Sequence, residues 1–478
     1  LSAYEHADVP FEALVAELQP ERSLGHSPLF QVLFALQNAD LSGAELAGLR
    51  MEGVEVDVDT TKFDLELHLA AHPGGLGGTL TYATDLFERG TVERMAAHLA
   101  RVLEQVAADP ELRLSALELV DDAERRQLDA WAGTAAPLPA EACIHHLVQA
   151  QAARTPDGVA VVHETESVTY AELNARANRL AHHLRALGVG PETRVGICLP
   201  RGAEMVAALL GVLKSGGAYV PLDPAYPPER LAFMVADSGM QVLVTADALR
   251  GVLPPREGVR TVTIDGDADA IARQRGDDPA GGADARSLAY LIYTSGSTGV
   301  PKGVAIEHAS AVAMLAWGAE VWPAEELAGM MAATSICFDI SVFELFLPLA
   351  RGGRVIVMEN ALALPRSAAA DQVRLVNTVP SAIAALLVDG GIPSGVRTVN
   401  LAGELLRQEL VDAVYARGVE RVMDLYGPSE DTTYSTFALR RPGGAPSIGR
   451  TISNTRGFVV DGALRLVPAG VAGELCLS

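Results

Sequence analysis

Short apolar runs alternate with amphipathic stretches along the chain from about residue 140 onward. The apolar runs predict strands, and the amphipathic stretches between them predict helices. The predicted strands are residues 193–199, 218–222, 241–245, 288–293, 354–357 and 398–401, and the predicted helices include 144–153, 170–187 and 202–215. Because strands that alternate with helices form parallel sheets with helices on their faces, this pattern predicts an α/β fold.

The first 115 residues mix helical and strand patterns in a different order. The predicted elements are a helix over 11–18, strands over 54–58, 65–71 and 79–83, a glycine-rich turn over 74–78 and a helix over 91–108. A turn between two strand patterns predicts a β-hairpin. The sequence then becomes charged, and afterwards rich in alanine and proline, over 121–140, which is typical of a linker.

These changes divide the chain into a first region over 1–115, a linker over 116–140 and a second region over 141–478. The glycine-rich stretch 276–282 is predicted to be a surface loop. The sequence begins with Leu1 instead of Met and stops at Ser478 inside a strand-like run. We therefore expect a fragment of a longer protein.

Composition argues against several classes of protein. The 478 residues carry 37 Lys and Arg against 60 Asp and Glu, a net charge of −23, whereas a nucleic-acid-binding surface would be basic. No apolar run approaches the roughly 20 residues of a membrane span. We therefore expect neither a nucleic-acid nor a membrane partner. The isolated cysteines favour buried thiols in a reducing cytoplasm over a metal site or disulfides, and they are Cys143, Cys198, Cys337 and Cys476.

One stretch carries a specific chemical signal. Tyr293-Thr294-Ser295-Gly296-Ser297-Thr298-Gly299-Val300-Pro301-Lys302-Gly303 follows the predicted strand 288–293. Small residues allow successive backbone N–H groups to converge on an anion, the hydroxyl groups add donors, and Lys302 adds a positive charge. The spacing of a Walker A loop is absent. A flexible Gly/Ser linker would not need a Pro-Lys-Gly sequence behind a buried strand, so we interpret the stretch as a phosphate-binding loop.

The loop resembles the signature of the adenylate-forming superfamily, which includes amino-acid adenylation domains, acyl-CoA synthetases and luciferases. Other stretches, in the same order, resemble the adenylation domains of nonribosomal peptide synthetases. They are Val168-Thr169-Tyr170-Ala171-Glu172-Leu173, Leu213-Lys214-Ser215-Gly216-Gly217-Ala218-Tyr219-Val220-Pro221-Leu222-Asp223, Phe338-Asp339-Ile340-Ser341, Asn400-Leu401-Ala402-Gly403-Glu404, Leu425-Tyr426-Gly427-Pro428-Ser429-Glu430 and Gly473-Glu474-Leu475. The resemblance implies a large α/β core with two sheet-and-helix subdomains and a small β-rich part near the C-terminus.

The amino-terminal region resembles the last third of a condensation domain, an α/β sandwich. The similar stretches are Glu5-His6-Ala7-Asp8-Val9-Pro10-Phe11-Glu12, Ser27-Pro28-Leu29-Phe30-Gln31-Val32 and Lys62-Phe63-Asp64-Leu65. The catalytic H-H-x-x-x-D-G motif of that family is absent, because the pairs at 145–146 and 182–183 are followed by other residues. We therefore expect a non-catalytic remnant and ordinary helical histidines.

The resemblance implies that a substrate carboxylate attacks the α-phosphate of ATP and that pyrophosphate leaves. The implied catalytic residues are Thr294, Lys302 and Glu430, and Glu430 is also the implied ligand of Mg²⁺, which prefers carboxylate oxygens. The implied nucleotide-binding residues are Thr294, Ser295, Gly296, Ser297, Thr298, Gly299, Lys302, Gly403, Glu404, Asp424, Tyr426 and Gly427. Tyr426 would stack on adenine, and Asp424 would accept a hydrogen bond from its amino group.

The resemblance also implies partners. The activated acid would pass to the phosphopantetheine thiol of a carrier domain, and further synthetase modules would belong to the full protein. After the stretch ending at Leu475 the family continues with a ribose-binding Asp and a lid that carries a catalytic Lys. Since lids complete such sites, we expect the chain as given to be impaired in catalysis.

Asp339 lies in the mostly apolar stretch 336–349, where an unpaired carboxylate is costly to bury. The resemblance supplies the α-ammonium of an amino acid as its partner, and the alternative is an N-cap for the helix that follows. The implied pocket residues are Asp339, Ile340, Phe343, Asn377, Asn400, Ala402, Leu425, Thr433 and Tyr434. Their bulk predicts alanine as the substrate. Glycine is a rival because one methyl is worth only about 1–3 kcal/mol, and serine is another because Asn377 or Asn400 would bind a hydroxyl.

Two other functions remain as alternatives. An acyl-CoA ligase would have no ammonium for Asp339 and would not follow condensation-domain sequence. A catalytically inactive binding or scaffold module is disfavoured by the intact phosphate loop and by Glu430. Lys214 and Lys62 carry no comparable pattern and are predicted to be solvated surface residues.

Overall fold

The computed structural model describes residues 2–20, 27–37, 60–72, 74–138, 142–253, 257–295 and 299–478. They form two compact units, one of Leu1–Arg126 with Val460–Glu474 and one of Gln127–Val459 with Leu475–Ser478. The predicted strand over 54–58 lies outside the described residues. Among the residues that are described, no helix is both long and apolar enough to cross a membrane.

The first unit contains a three-stranded sheet and helices. Its elements are α1 (Ser2–Glu5), α2 (Phe11–Leu18), β1 (Val32–Gln37), β2 (Leu65–His72), β3 (Gly75–Tyr82) and α3 (Arg89–Ala108). Strand β2 pairs in parallel with β1 and antiparallel with β3, which confirms the hairpin. The predicted turn over 74–78 is wrong, because Gly75–Gly78 pair with Leu69–His72 inside β3. Glycine weakens a strand but does not prevent its backbone from pairing.

The charged half of the predicted linker forms helix α4 (Asp122–Ala132). Its first turn is capped, because Asp121 Oδ1 accepts a hydrogen bond from Glu124 N at 2.7 Å. Residues 133–138 have no helix or strand. The boundaries predicted at 115 and 140 therefore stay predictions, and the stretch between them contains regular structure.

Helices and short strands alternate from residue 142 onward. The helices are α5 (Ile144–Arg154), α6 (Tyr170–Ala186), α7 (Ala203–Ser215), α8 (Pro228–Asp237), α9 (Ala268–Ala272), α10 (His308–Val321), α11 (Ala324–Leu327), α12 (Ile340–Ala350), α13 (Pro380–Val388) and α14 (Gln408–Tyr415). The strands are β4 (Val159–His163), β5 (Glu166–Thr169), β6 (Arg194–Cys198), β7 (Ala218–Pro221), β8 (Val242–Thr245), β9 (Arg260–Thr263), β10 (Leu288–Thr294), β11 (Lys302–Glu307), β12 (Met330–Ala332), β13 (Val355–Val357), β14 (Leu375–Thr378), β15 (Thr398–Ala402), β16 (Arg421–Tyr426), β17 (Thr436–Arg440), β18 (Arg450–Thr451), β19 (Gly457–Val460) and β20 (Glu474–Leu477).

Two large sheets organise the second unit. One has the order β11-β10-β7-β6-β8-β9, and the other has the order β18-β17-β16-β15-β14-β12-β13-β4-β5. Pairing is parallel from β10 to β9 and from β16 to β4, and antiparallel strands extend the edges. The predicted parallel sheets are therefore confirmed. Ligands of such sheets bind at the carboxyl ends of the strands.

Neighbouring residues of β14–β16 face two different hydrophobic cores. Leu375, Ala402 and Leu425 belong to the core that also contains Phe343 of α12. On the opposite face, the second core contains Val376, Val399, Leu401 and Val422 together with residues of α13 and α14. Helices therefore cover both faces of this sheet, as its alternating pattern of side chains requires.

Lys214 is buried, with only 1% of its surface exposed, so the prediction of a solvated surface residue is wrong. Its Nζ donates to Asn174 Oδ1 at 2.7 Å, to Asn178 Oδ1 at 2.8 Å and to Asp278 Oδ1 at 2.7 Å. Three acceptors satisfy the three donors of the ammonium group. Burial lowers the pKa of Lys214 to about 8, and Asp278 opposes that shift. The loop 276–282, which the sequence predicted, contributes Asp278 and thereby holds the buried charge.

Candidate active site

The predicted phosphate loop joins the antiparallel strands β10 and β11. Thr294, the last residue of β10, lies opposite Lys302, the first residue of β11. The Oγ1 atom of Thr294 is buried and has no hydrogen-bond partner among the described residues. Ser295 is exposed, and Gly299 has a φ of +81°, which favours glycine. The loop thus presents a hydroxyl and an ammonium group at its two ends, while Gly296, Ser297 and Thr298 lie outside the described residues.

A 3₁₀ turn, Ser429–Asp431, brings Glu430 to this loop. Lys302 Nζ and Glu430 Oε1 form an ion pair between two side chains that are about half exposed. The hydrogen bond from Lys302 lowers the pKa of Glu430 and so keeps its carboxylate ionised. An ionised carboxylate that is open to water fits the ligand preference of Mg²⁺.

Strand β16 leads into the turn and places Tyr426 and Gly427 beside it. Tyr426 lies at the end of the strand with 45% of its surface exposed. A Cβ atom at Gly427 would lie 2.6 Å from Ser435 N, so the backbone packs too closely for any other residue. An exposed ring next to a tightly packed glycine provides a flat surface on which a base would stack.

Asp424 is buried on the same strand and pairs with an arginine. Its Oδ2 accepts a hydrogen bond from Arg440 Nη1 at 2.7 Å. Burial raises the pKa of Asp424, and Arg440 opposes that shift. The ion pair uses only part of the accepting capacity of this carboxylate, so an acceptor remains for an adenine amino group.

Gly403 and Glu404 follow strand β15, and Gly403 has a φ of +79°. The carboxylate of Glu404 accepts hydrogen bonds from Ser381 N at 2.9 Å and from Ser381 Oγ at 2.7 Å. An acid at the amino end of a helix is favourable, and here it anchors α13. Contact between Glu404 and a nucleotide stays a prediction, since its carboxylate already stabilises a helix.

The predicted pocket residues on strands share one face of the larger sheet. Asn377 of β14 lies opposite Asn400 of β15. Ala402 lies opposite Leu425 of β16. These positions are two residues apart along β15, and alternate residues of a strand point to the same side. The register therefore brings the four side chains together.

The remaining pocket residues close over that face. The rings of Phe343 and Tyr434 meet edge to face with centroids 5.2 Å apart. Thr433 Oγ1 donates to the carbonyl oxygen of Asp339 at 3.3 Å. Ile340 packs against the same hydrophobic core. The structure thus brings the predicted pocket residues to a single place next to the Ser429–Asp431 turn.

Asp339 occupies the N-cap position of α12, but its side chain makes no capping hydrogen bond. The usual N-cap hydrogen bond, which was the alternative to a substrate partner, is therefore absent, although the backbone N–H of Ile340 at the start of the helix acts on the carboxylate. Burial raises the pKa of Asp339, Ser429 opposes this through a hydrogen bond from its hydroxyl, and the charge of Glu430 adds to it. A carboxylate in this position is stabilised by a cation.

The two pocket asparagines differ in their hydrogen bonds. Asn377 Oδ1 accepts from Tyr434 Oη at 3.1 Å, and Asn377 Nδ2 donates to Glu344 Oε1 at 3.4 Å. Asn400 is completely buried, and neither of its amide atoms has a partner among the described residues. An unpaired buried amide is costly, so Asn400 is the pocket amide that would gain from a ligand.

Glu344 is a completely buried acid beside Asn377, and it is not among the site residues predicted from the sequence. Its Oε2 accepts from Ala333 N and Thr334 N, both at 3.1 Å, and its Oε1 also accepts from Thr334 Oγ1 at 2.6 Å. Burial raises its pKa to about 7. The signal was present, because Glu344 is a second acid in the apolar stretch 336–349 and the cost of burial applies to it as it does to Asp339.

Two sheets of mainly parallel strands, a glycine-rich loop whose Lys302 pairs with Glu430, and the buried acid Asp339 nearby fit the arrangement expected of an adenylate-forming enzyme. The sequence matches the AMP-binding enzyme family over residues 148–478 and the condensation domain family over residues 1–129. The chain belongs to the nonribosomal peptide synthetases, as an amino-acid adenylation domain preceded by part of a condensation domain. The fold class predicted from the sequence is confirmed.

Relatives of known name support this assignment. The chain is 45% identical over 484 residues to one of the proteins that make up the linear gramicidin synthase of Brevibacillus parabrevis, covering 100% of the chain and 10% of that protein. It is 47% identical over 397 residues to the AMB antimetabolite synthetase AmbB of Pseudomonas aeruginosa, covering 81% of the chain and 31% of that protein. The chain thus spans about a tenth and about a third of these proteins.

Solved structures of nonribosomal peptide synthetases also match this chain. The crystal structure of holo-AB3403, a four-domain nonribosomal peptide synthetase bound to AMP and glycine, superimposes with a TM-score of 0.83 at 27% identity. The match covers 100% of this chain and 37% of that one. The synthetase FmoA3 gives a TM-score of 0.78 at 26% identity over 91% of this chain and 49% of that one.

Proposed function

We propose that the chain activates a small amino acid with ATP and Mg²⁺, forming an aminoacyl-AMP and pyrophosphate. A carboxylate oxygen would bond to the α-phosphorus while the bond from that phosphorus to the pyrophosphate oxygen breaks. One observation carries the proposal: a single 3₁₀ turn lies beside Asp339, whose pKa Ser429 and Glu430 both shift, and its Glu430 also pairs with Lys302. An amino acid held by Asp339 would thus present its carboxylate beside the phosphates.

The residues of the chain would act mainly by position and charge, as phosphoryl transfer requires. Asp339 would hold the ammonium group, and Thr294 and Lys302 would hold phosphate oxygens together with the loop between them. Glu430 would exchange Lys302 for Mg²⁺, which when bound neutralises charge on the phosphates. Tyr426 would stack on the adenine.

Replacing Lys302 with Ala, or Glu430 with Gln, should weaken binding of magnesium and AMPPNP by about 10- to 100-fold, since each change removes a charge-assisted contact of about 1.5–3 kcal/mol. The melting temperature should hardly move, because an exposed ion pair contributes about 0–1 kcal/mol. Calorimetric titration measures the affinity. The control is Lys62→Ala, which removes an exposed lysine in the first unit. Wild-type affinity in both variants would refute these roles.

We propose alanine as the amino acid. Phe343, Leu425 and Tyr434 are almost wholly buried, and their bulk would occupy the volume that a larger substrate side chain needs. Glu344 contacts the pocket residue Asn377, and its oxygens already accept hydrogen bonds from Ala333, Thr334 and Asn377. A charged substrate would therefore lack a partner. Glycine is the nearest rival, and serine is the next candidate because the unpaired amide of Asn400 favours a hydroxyl.

Selectivity is expected in the order alanine, then glycine and serine, then leucine. A single methyl group is worth about 1–3 kcal/mol in an apolar pocket, so glycine should bind roughly 10-fold more weakly than alanine. Calorimetry with the matching aminoacyl sulfamoyl-adenosines, which mimic the adenylate, measures the order. Sulfamoyl-adenosine without an amino acid is the control. Tighter binding of the leucine or phenylalanine compound than of the alanine compound would refute the pocket assignment.

We further propose that the aminoacyl group passes to the phosphopantetheine thiol of a carrier domain in the cytoplasm. The thiol sulfur would bond to the acyl carbon and AMP would leave. The similarity to a four-domain synthetase supports the carrier step. A reducing cytoplasm is supported by four free thiols, those of Cys143, Cys198, Cys337 and Cys476. Loading of a separately supplied carrier domain with radiolabelled alanine, by the chain extended with a lid of the family, tests this step, and an unlabelled carrier would count against it.

A further inference from the structure

We propose that Glu344 is a positioning residue that fixes the direction of the hydrogen bonds in the pocket wall and thereby keeps Tyr434 from donating one to the substrate side chain. The inference rests on the proposed function and extends it to selectivity. Its basis is a hydrogen-bonded chain that runs from the loop after β12 through α12 to the segment before β17.

The direction of that chain follows from the chemistry of a carboxylate, which only accepts hydrogen bonds when ionised. Glu344 accepts from two backbone N–H groups at Oε2 and from Thr334 Oγ1 at Oε1. Asn377 must therefore turn its Nδ2 toward Glu344 and its Oδ1 toward Tyr434. The hydroxyl of Tyr434 must then donate to Asn377, over the observed 3.1 Å.

The hydroxyl hydrogen of Tyr434 therefore points toward Asn377 and away from the substrate. Tyr434 and Asn377 are completely or almost completely buried, so water does not supply an alternative partner. The substrate side chain meets the ring of Tyr434 and an oxygen whose hydrogen is already used. Such a wall favours a methyl group over a hydroxyl, and Asn400 remains as the unpaired amide of the pocket.

Replacing Glu344 with Gln would reverse the chain. The two backbone N–H groups still need an acceptor, so the Gln oxygen takes the Oε2 position and its NH₂ group faces Asn377. Asn377 then flips to accept from it and presents its own Nδ2 to Tyr434. The hydroxyl of Tyr434 would have to accept, and its hydrogen would turn toward the substrate. One neutral hydrogen bond corresponds to roughly a five-fold change in affinity.

Protonation of Glu344 would have the same effect. Burial raises its pKa to about 7, and Arg201 opposes that shift. The other ionisable groups near the chain are Tyr434, whose pKa burial raises well above its usual range, and Asp339, which faces it. In the proposed function, Asp339 contacts the ammonium group, which the alanyl and seryl ligands share. Its titration therefore changes both affinities equally and leaves their ratio unchanged. That ratio therefore reports on Glu344.

The experiment measures affinities for alanyl and seryl sulfamoyl-adenosine in the wild type, Glu344→Gln, Tyr434→Phe and the double variant, from pH 6 to pH 8.5. The alanine-to-serine ratio should fall about five-fold in Glu344→Gln. It should also fall as the pH drops through about 7 in the wild type but not in Glu344→Gln. Without the hydroxyl of Tyr434, Glu344→Gln should have no further effect.

An unchanged alanine-to-serine ratio in Glu344→Gln would overturn the inference. So would a change of the same size when Glu344→Gln is added to Tyr434→Phe. If Glu344→Gln does not fold, the pH dependence of the wild type still decides, and a constant ratio would overturn it. Loss of sulfamoyl-adenosine binding in the wild type would instead count against the proposed function. The two failures are therefore distinguishable.

Discussion

Replacing Asp339 with Asn is expected to remove amino-acid recognition while leaving the fold as stable as before. The ammonium group of the substrate would lose its partner in a largely buried site, which costs about 3–5 kcal/mol, or 100-fold or more in affinity. The fold should not suffer, because burial raises the pKa of Asp339 and its charge is therefore disfavoured in the folded ligand-free protein. The melting temperature should stay constant or rise.

Calorimetry with alanyl sulfamoyl-adenosine measures the loss. Sulfamoyl-adenosine without an amino acid serves as the control, since it keeps every nucleotide contact and lacks the ammonium group. The Asn variant should bind this control ligand as the wild type does. Equal weakening of both ligands would show that Asp339 acts on the nucleotide, and no weakening would show that it does not hold the ammonium group.

The second large effect is expected on stability, from Arg440→Met. Arg440 is 3% exposed and pairs with Asp424, so the variant would leave a buried carboxylate without a counter-charge. Breaking such a pair costs about 3–5 kcal/mol, visible as a lower urea midpoint. Adding Asp424→Asn to Arg440→Met should recover most of the lost stability, because no buried charge is then left unpaired. An equal loss in the Asp424→Asn background would contradict this account.

The loss in Arg440→Met should also depend on pH. Burial raises the pKa of Asp424 in the fold above its unfolded value, so the penalty is present at pH values above the folded pKa. As the pH falls below that pKa, the folded state takes up a proton and the penalty disappears. The difference in urea midpoint between Arg440→Met and the wild type should therefore be larger at pH 8 than at pH 4.5.

The sequence predicted the strands and the ligand loop because these depend on local patterns. The apolar run 288–293 followed by small residues became β10 and the loop after it. Prediction from local pattern failed where pairing with a distant strand opposed it. The sequence of Gly75–Gly78 predicts a turn, but these residues pair with β2 as part of a strand. These glycines form a strand because the backbone of β2 pairs with them, and their own sequence does not indicate this partner.

Buried charges were the other failure. The acceptors of Lys214 come from α6 and from the loop 276–282, which are far from it along the chain. Arg440 and Asp424 meet only because β17 pairs with β16. Periodicity contains no information about such partners. Asp339 could be singled out because its family resemblance supplied a partner from outside the chain.

The two-sided arrangement of β14–β16 has a consequence for how this domain can diversify. Asn377, Asn400 and Leu425 are proposed to line the pocket, whereas Val376 and Val399, which neighbour the two asparagines in sequence, fill a separate core on the opposite face. A mutation at one of these proposed positions would therefore leave the packing beneath α13 and α14 undisturbed. Under that assignment, substrate choice can change while the core beneath α13 and α14 stays intact, and only the core that contains Phe343 and Leu425 has to accommodate the change.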